Sequence, residues 1–189
     1  MEYKTERLEA TVDVAEYIED CVSVEEFLPY CQQCHNYNQV WSCPEFSFDP
    51  YTYWNQYDKL RLIGIKIYLP AELTEKTWTQ EECQKWTDEF LWREKRKLSE
   101  ELYELEKQYP GSISLSAGTC QLCGVGNCTK KSGKPCRNPE KLRYSIESLG
   151  GNVGRTVTRY LGQELEWIEE GRLPHYFILV CGLLMKNTE

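Results

Sequence analysis

Apolar and polar residues alternate through Leu60–Leu69, where Ile63, Ile65 and Ile67 fall on one side of the chain and Pro70 closes the run. A period of two predicts a strand. Leu8, Ala10, Val12 and Val14 alternate more weakly and predict a short strand, although Val14–Asp20 fits a helix equally well. Ser112–Ala117 is a third short strand. His175–Met185 is a continuous apolar run and reads as a buried strand, with Glu164–Ile168 pairing to it across the turn 169–172. Elsewhere the period lengthens. Thr79 and Glu82 have capping-box spacing, and a long helix follows to about Tyr109 with Leu91, Leu98, Leu102, Leu105 and Tyr109 in one stripe. The charges from Arg93 to Lys97 read as its solvated face. Ser23 and Glu26 start a shorter helix running toward Cys31, and Leu142–Leu149 and Val153–Leu161 form two more, split by the turn Gly150-Gly151. Between Cys31 and Tyr57 neither period holds, and a connection of that length points to a bound ligand or a function. The expected fold is α+β or α/β: a small mixed sheet with packed helices, any parallel strand pair around the long helix taking the right-handed crossover. It forms a single metal-binding domain over residues 1–189, with cysteine-rich loops at about 31–57 and 118–139.

Composition narrows the function. The 189 residues are long enough to bury a core, and 41% are hydrophobic. A net charge of −8 without a long basic run excludes nucleic acid or an anionic membrane as the main partner. No apolar run reaches the roughly 18 residues of a membrane span. Met1–Arg7 leads into no apolar stretch, so no signal peptide is expected and the expected location is cytoplasmic. In that reducing compartment, ten cysteines point to metal or catalysis rather than disulfides. Cys21, Cys83 and Cys181 are scattered among apolar neighbours and read as core residues. With two histidines, a His-based site is not supported, and His175 reads as a strand-end residue.

The other seven cysteines fall in two short segments. Cys120, Cys123, Cys128 and Cys136 follow the pattern C-x2-C-x4-C-x7-C, so local chain alone can wrap one centre. Gly124 and Gly126 allow sharp bends that bring amides near the sulfurs, and such N–H···S contacts stabilise added negative charge. Lys130, Lys131, Lys134 and Arg137 lie in the same stretch and offset an anionic cluster. Zinc also takes four thiolates, but zinc ribbons usually show two C-x2-C pairs and this segment has one. The expected cofactor is therefore an iron–sulfur cluster, of the [4Fe-4S] type, with zinc as the alternative.

The first segment offers Cys31, Cys34 and Cys43 for a second cluster. Its fourth iron is left to a small molecule, a carboxylate, or a histidine such as His35. Two alternatives stay open here: one zinc site joining Cys31 and Cys34 to Cys120 and Cys123, or both segments around a single centre. Trp41, Phe46, Phe48, Tyr51, Tyr53 and Trp54 either shield a cluster from water or simply pack the loop. Three functions follow. The leading one is an iron–sulfur protein for electron transfer or an accessory redox role, with a redox protein as partner. The second is an enzyme using an open iron as Lewis acid. The third is a zinc-stapled binding module without redox role.

These residues resemble a family of small prokaryotic cysteine-rich proteins of unknown function, described as predicted metal-binding proteins. The matching pieces are Cys31-x2-Cys34-x2-Tyr37, Trp41-Ser42-Cys43-Pro44, Ala117-Gly118-Thr119-Cys120-x2-Cys123, Cys136-Arg137-x-Pro139 and Arg143-x-Ser145-x-Glu147-x2-Gly150. The resemblance runs from about residue 25 to 185. Where the family usually carries a second proline after Cys43-Pro44, this chain has Glu45. The resemblance implies metal binding and no established reaction.

Overall fold

The structure, a computed structural model, describes residues 2–187; Met1, Thr188 and Glu189 lie outside them. Strand β1 (Lys4–Asp13) pairs with β2 (Lys59–Tyr68), β2 with β4 (Tyr176–Met185), and β3 (Ile113–Leu115) with the far side of β4. The order is β1-β2-β4-β3 and every pairing is antiparallel. The fold is therefore α+β, and the expected mixed sheet is corrected to an antiparallel one. The reason lies in β4. Its residues are buried on both faces, so it takes an interior position with a neighbour on each side. Strands β2 and β3 both run antiparallel to β4, hence parallel to one another with β4 between them.

The period of two sorts the core. Leu60, Leu62, Val180 and Leu184 face one side; Ile63, Ile65, Ile67, Leu179, Cys181 and Leu183 face the other. Against the first side pack α1 (Val14–Cys21), α3 (Pro50–Trp54) and α6 (Val153–Leu161), through Tyr17, Trp54, Val157 and Leu161. Tyr17 Oη lies 2.7 Å from Thr156 Oγ1 and Trp54 Nε1 donates to Leu149 O at 3.0 Å, whereas the buried Tyr53 hydroxyl has no partner among the described residues. Against the second side lies α5 (Gln80–Gln108), through Cys83, Phe90, Leu98 and Leu102. Its capping box forms as the spacing predicts: Glu82 N donates to Thr79 Oγ1 at 3.2 Å and Thr79 N to Glu82 Oε2 at 2.9 Å. Helix α2 (Val24–Gln33) begins after Ser23, whose side chain makes no cap bond, and α4 (Ala71–Thr74) is a single turn after β2. Cys21, Cys83 and Cys181 are all buried.

Two expected elements are replaced. Leu142–Leu149 is no α-helix; only the 3-10 turn Glu147–Leu149 forms there. Ser145 N donates to Ser148 Oγ and Ser148 N to Ser145 Oγ, so side chains take the bonds a helix would use. Glu164–Ile168 is no strand. After the bridge Glu169↔Arg172, the Glu166 carboxylate takes the His175 backbone N–H at 2.7 Å, a donor that a ladder needs. Among the described residues no helix is long and apolar enough to cross a membrane.

Candidate metal centre

The second cysteine loop leaves the end of β3. Gly124 N donates to Gln121 O at 2.9 Å with Gly124 at φ +81°, so Cys120 and Cys123 flank a tight turn that needs glycine. Thr129 Oγ1 donates to Pro135 O at 2.8 Å, closing the stretch between Cys128 and Cys136, and Arg137 Nη2 donates to Asn127 O at 2.9 Å. As a result Cys120, Cys123, Cys128 and Cys136 all line one cavity of about 20 Å³, walled further by Trp41 and Leu142. Asn138 points two donors at its sulfurs: its backbone N lies 3.4 Å from Cys136 Sγ and its Nδ2 3.4 Å from Cys123 Sγ. Two of the N–H···S contacts expected of this loop thus come from Asn138, which carries no sequence signal of its own. Burial pushes the Cys120 thiol up, and the Leu122 amide and Lys95 offset part of that rise.

In the first loop, Cys31 lies in the last turn of α2 and Cys34 caps it; Cys34 N donates to Cys31 O at 3.0 Å and Asn36 N to Cys34 Sγ at 3.5 Å. Burial pushes the Cys31 thiol up, and Cys43 and Cys34 raise it further; of the three, only Cys31 lines the cavity of about 160 Å³ beside this loop. His35 is exposed and makes no side-chain hydrogen bond among the described residues. The aromatic residues mainly pack the loop. Phe46 stacks on Phe48 with centroids 4.8 Å apart, and both meet Tyr144 edge-on.

The two loops are stitched together. Cys120 N donates to the buried Ser42 Oγ at 2.9 Å, Cys43 Sγ lies 3.5 Å from Thr119 Oγ1, and Trp41 Nε1 donates to Lys134 O at 3.3 Å. Lys130 reaches across to Cys43 O at 3.0 Å and Glu45 O at 2.9 Å. All ten cysteines are free thiols. Among the described residues, no three Cys, His, Asp or Glu side chains converge closely enough to hold a metal ion. The donor set still has a definite chemistry. Thiolates with N–H donors behind them suit zinc, copper(I) or iron–sulfur clusters and do not suit magnesium or calcium.

A family model described as "Predicted metal-binding protein (DUF2284)" matches residues 17–184. The chain belongs to this family. No match was found among curated proteins or among solved structures. The matched span of the family holds both cysteine loops, the whole of α5 and the turn at Glu147.

Within that span one charged residue near the cysteines, Lys95, departs from what its sequence position suggests. Lys95 belongs to the charge run read as a solvated face, yet its Nζ donates to Thr119 O at 2.6 Å, between the two cysteine loops. Burial pushes its pKa down, with Cys181, Cys120, Glu147 and Cys43 pulling the other way. Glu94 beside it is buried as well and accepts from Tyr3 Oη at 2.5 Å. The sign was in the spacing: position 95 fills the seven-residue gap between Leu91 and Leu98 on the apolar stripe. Glu147 is exposed and lines the cavity of about 160 Å³ that Cys31 also lines. A larger cavity of about 680 Å³ lies between α5 and the second loop, lined among others by Trp92, Lys95, Tyr103, Cys120 and Leu122.

Proposed function

We propose that the chain is an iron–sulfur protein with an electron-transfer or accessory redox role, acting in the cytoplasm with a redox protein as partner. The observation that carries this reading is the shared cavity of Cys120, Cys123, Cys128 and Cys136, with Asn138 donating toward two of the sulfurs. A bound [4Fe-4S] cluster supplies one-electron chemistry. The chain supplies its tuning. Thiolates hold the iron, Asn138 stabilises charge on sulfur, and Trp41 and Leu142 exclude water from the cavity wall. Lys130 and Lys95 place cations beside Cys43, Cys128 and Cys120. Leu122 and Val125, 44% and 69% exposed, put apolar surface next to Cys123 where a protein partner would approach.

The zinc-stapled module is the other occupant of the same donors. Replacing Cys128 or Cys136 by Ser separates readings of the site: the four-ligand reading expects either change to strip this centre of metal, with the protein purified and handled without oxygen. Unchanged metal content in both variants would refute it. The enzyme reading gains from the cavity of about 160 Å³ in which Cys31 and Glu147 share the wall.

A further inference from the structure

We propose that the cavity of about 680 Å³ between α5 and the second cysteine loop is a binding site for a small organic carboxylate with an apolar body. Part of its wall is written into α5. Trp92, Arg96, Ser99 and Tyr103 recur at spacings of four, three and four, which puts them on one helical face. All four line the cavity, and the loop contributes Cys120, Gln121 and Leu122. Three cross-links brace it. Lys95 Nζ donates to Thr119 O at 2.6 Å, Tyr103 Oη to Lys141 O at 2.9 Å, and Arg143 Nε to Glu106 at 2.7 Å. Each joins α5 to the chain that follows β3, so the space is formed before a ligand arrives. Its volume suits one small molecule.

Charge selects the ligand. Lys95, Arg96, Lys141 and Arg143 line the cavity against one carboxylate, Glu100. The chain as a whole carries −8, so this gathering of cations runs against its composition. Arg143 is answered by Glu106, and Lys95 by a backbone carbonyl. Arg96 and Lys141 have no ion-pair partner among the described residues, although Glu100 stands four residues after Arg96. Both are exposed, and they offer a guanidinium fork and an ammonium where the cavity meets solvent, the donors that a carboxylate takes. Trp92, Leu102, Tyr103 and Leu122 supply the wall for an apolar body. Among the described residues no glycine lines the cavity, and its α5 residues lie past the first three turns of that helix. A phosphate would therefore find neither a glycine nest nor a helix N-terminus here. Cys120 and Leu122 line this cavity and also the small one that Cys123, Cys128 and Cys136 share. A bound acid thus sits against a wall common to the thiolate centre, which extends the redox reading, while binding itself does not depend on it.

The test titrates the full chain, purified without oxygen, in a calorimeter with 1-naphthoate and with 1-naphthalenemethanol, which has the same rings and no charge. The carboxylate should bind at one per chain and at least about tenfold more tightly than the alcohol. Arg96→Gln combined with Lys141→Gln should erase that difference and leave the affinity for the alcohol unchanged. Lys76→Gln combined with Lys85→Gln removes the same charge outside the cavity and should change neither affinity. Trp92→Ala should weaken both ligands, which places the rings in the cavity. Naphthoate that does not saturate, or that binds the Arg96 and Lys141 double variant as tightly as wild type, overturns the proposal. An equal loss in the Lys76 and Lys85 double variant overturns it too, because surface charge alone would then hold the anion. Inorganic phosphate should not displace naphthoate at equal concentration; displacement would refute the assignment to a carboxylate. None of these outcomes turns on whether the thiolates hold iron or zinc, so this proposal and the redox reading fail separately.

Discussion

Lys95 shows what a single residue contributes between the two cysteine loops. It is a partly buried ammonium whose pKa burial pushes down, with Cys181, Cys120, Glu147 and Cys43 pulling the other way, and its Nζ donates to Thr119 O. A metal–thiolate centre is anionic, so removing this cation should favour the oxidised, less negative state. Lys95→Met is therefore expected to lower the reduction potential of the bound cluster, measured by redox titration; an unchanged potential would show that Lys95 only packs. Asn138→Leu removes the Nδ2 contact to Cys123 and leaves the backbone donor to Cys136. At about 1 kcal/mol for one such bond, the potential should fall by roughly 40 mV for a one-electron couple. The gathering of Cys120, Cys123, Cys128 and Cys136 around one cavity was legible because their spacing is local. Lys95 was legible in principle, from the gap in the helical stripe. Asn138 was not, because its placement comes from the packing of a turn rather than from any period.

At the scale of elements, Glu106 near the end of α5 joins three segments. It accepts from Arg143 Nε at 2.7 Å, and from Ser114 N at 2.7 Å and Ser114 Oγ at 2.5 Å. Burial pushes the Glu106 carboxyl up, but Arg143 and Ser114 pull it down by more, so its pKa ends below the ordinary value of 4.5. A carboxylate depressed on folding stabilises the native state above its unfolded pKa, and that contribution is lost as pH falls through the lower folded value. Glu106→Gln should therefore cost about 3 kcal/mol at neutral pH, because it leaves the Arg143 guanidinium buried without a counter-charge. It should also flatten the acid limb of the melting curve below about pH 4.5. Thermal melts from pH 3 to 8 check both; equal slopes for variant and wild type would contradict the assignment. Gly150→Ala should cost about 1–3 kcal/mol from its left-handed backbone alone, before its contact with Val24. The element boundaries that the sequence made plain, those of α5 and β2, are set by caps and strict alternation. The segment 142–149 was misread as helix because its apolar spacing fits one, while the serine side chains and the Arg143 anchor divert the backbone.

For the whole molecule, the decisive feature is that the loop cysteines lie outside the sheet core, on which the first loop rests through Phe46 and Phe48. The two buried clusters flanking the sheet contain Cys21, Cys83 and Cys181 and none of the seven loop cysteines. Removing metal anaerobically should leave β2 and β4 protected in hydrogen exchange while residues 31–49 and 118–139 exchange faster. Global unfolding on metal removal would contradict this division. The antiparallel topology itself was hidden, since β3 is three residues long and β4 comes last in the chain, yet it is β4 that fills the position between β2 and β3. The central claim is that the loop thiolates hold an iron–sulfur cluster. The most direct measurement is acid-labile sulfide together with iron and zinc on protein purified wholly without oxygen, which would otherwise destroy a cluster and let zinc replace it. The account predicts a brown protein carrying iron and sulfide in equal amounts. A colourless protein with stoichiometric zinc and no sulfide would contradict it.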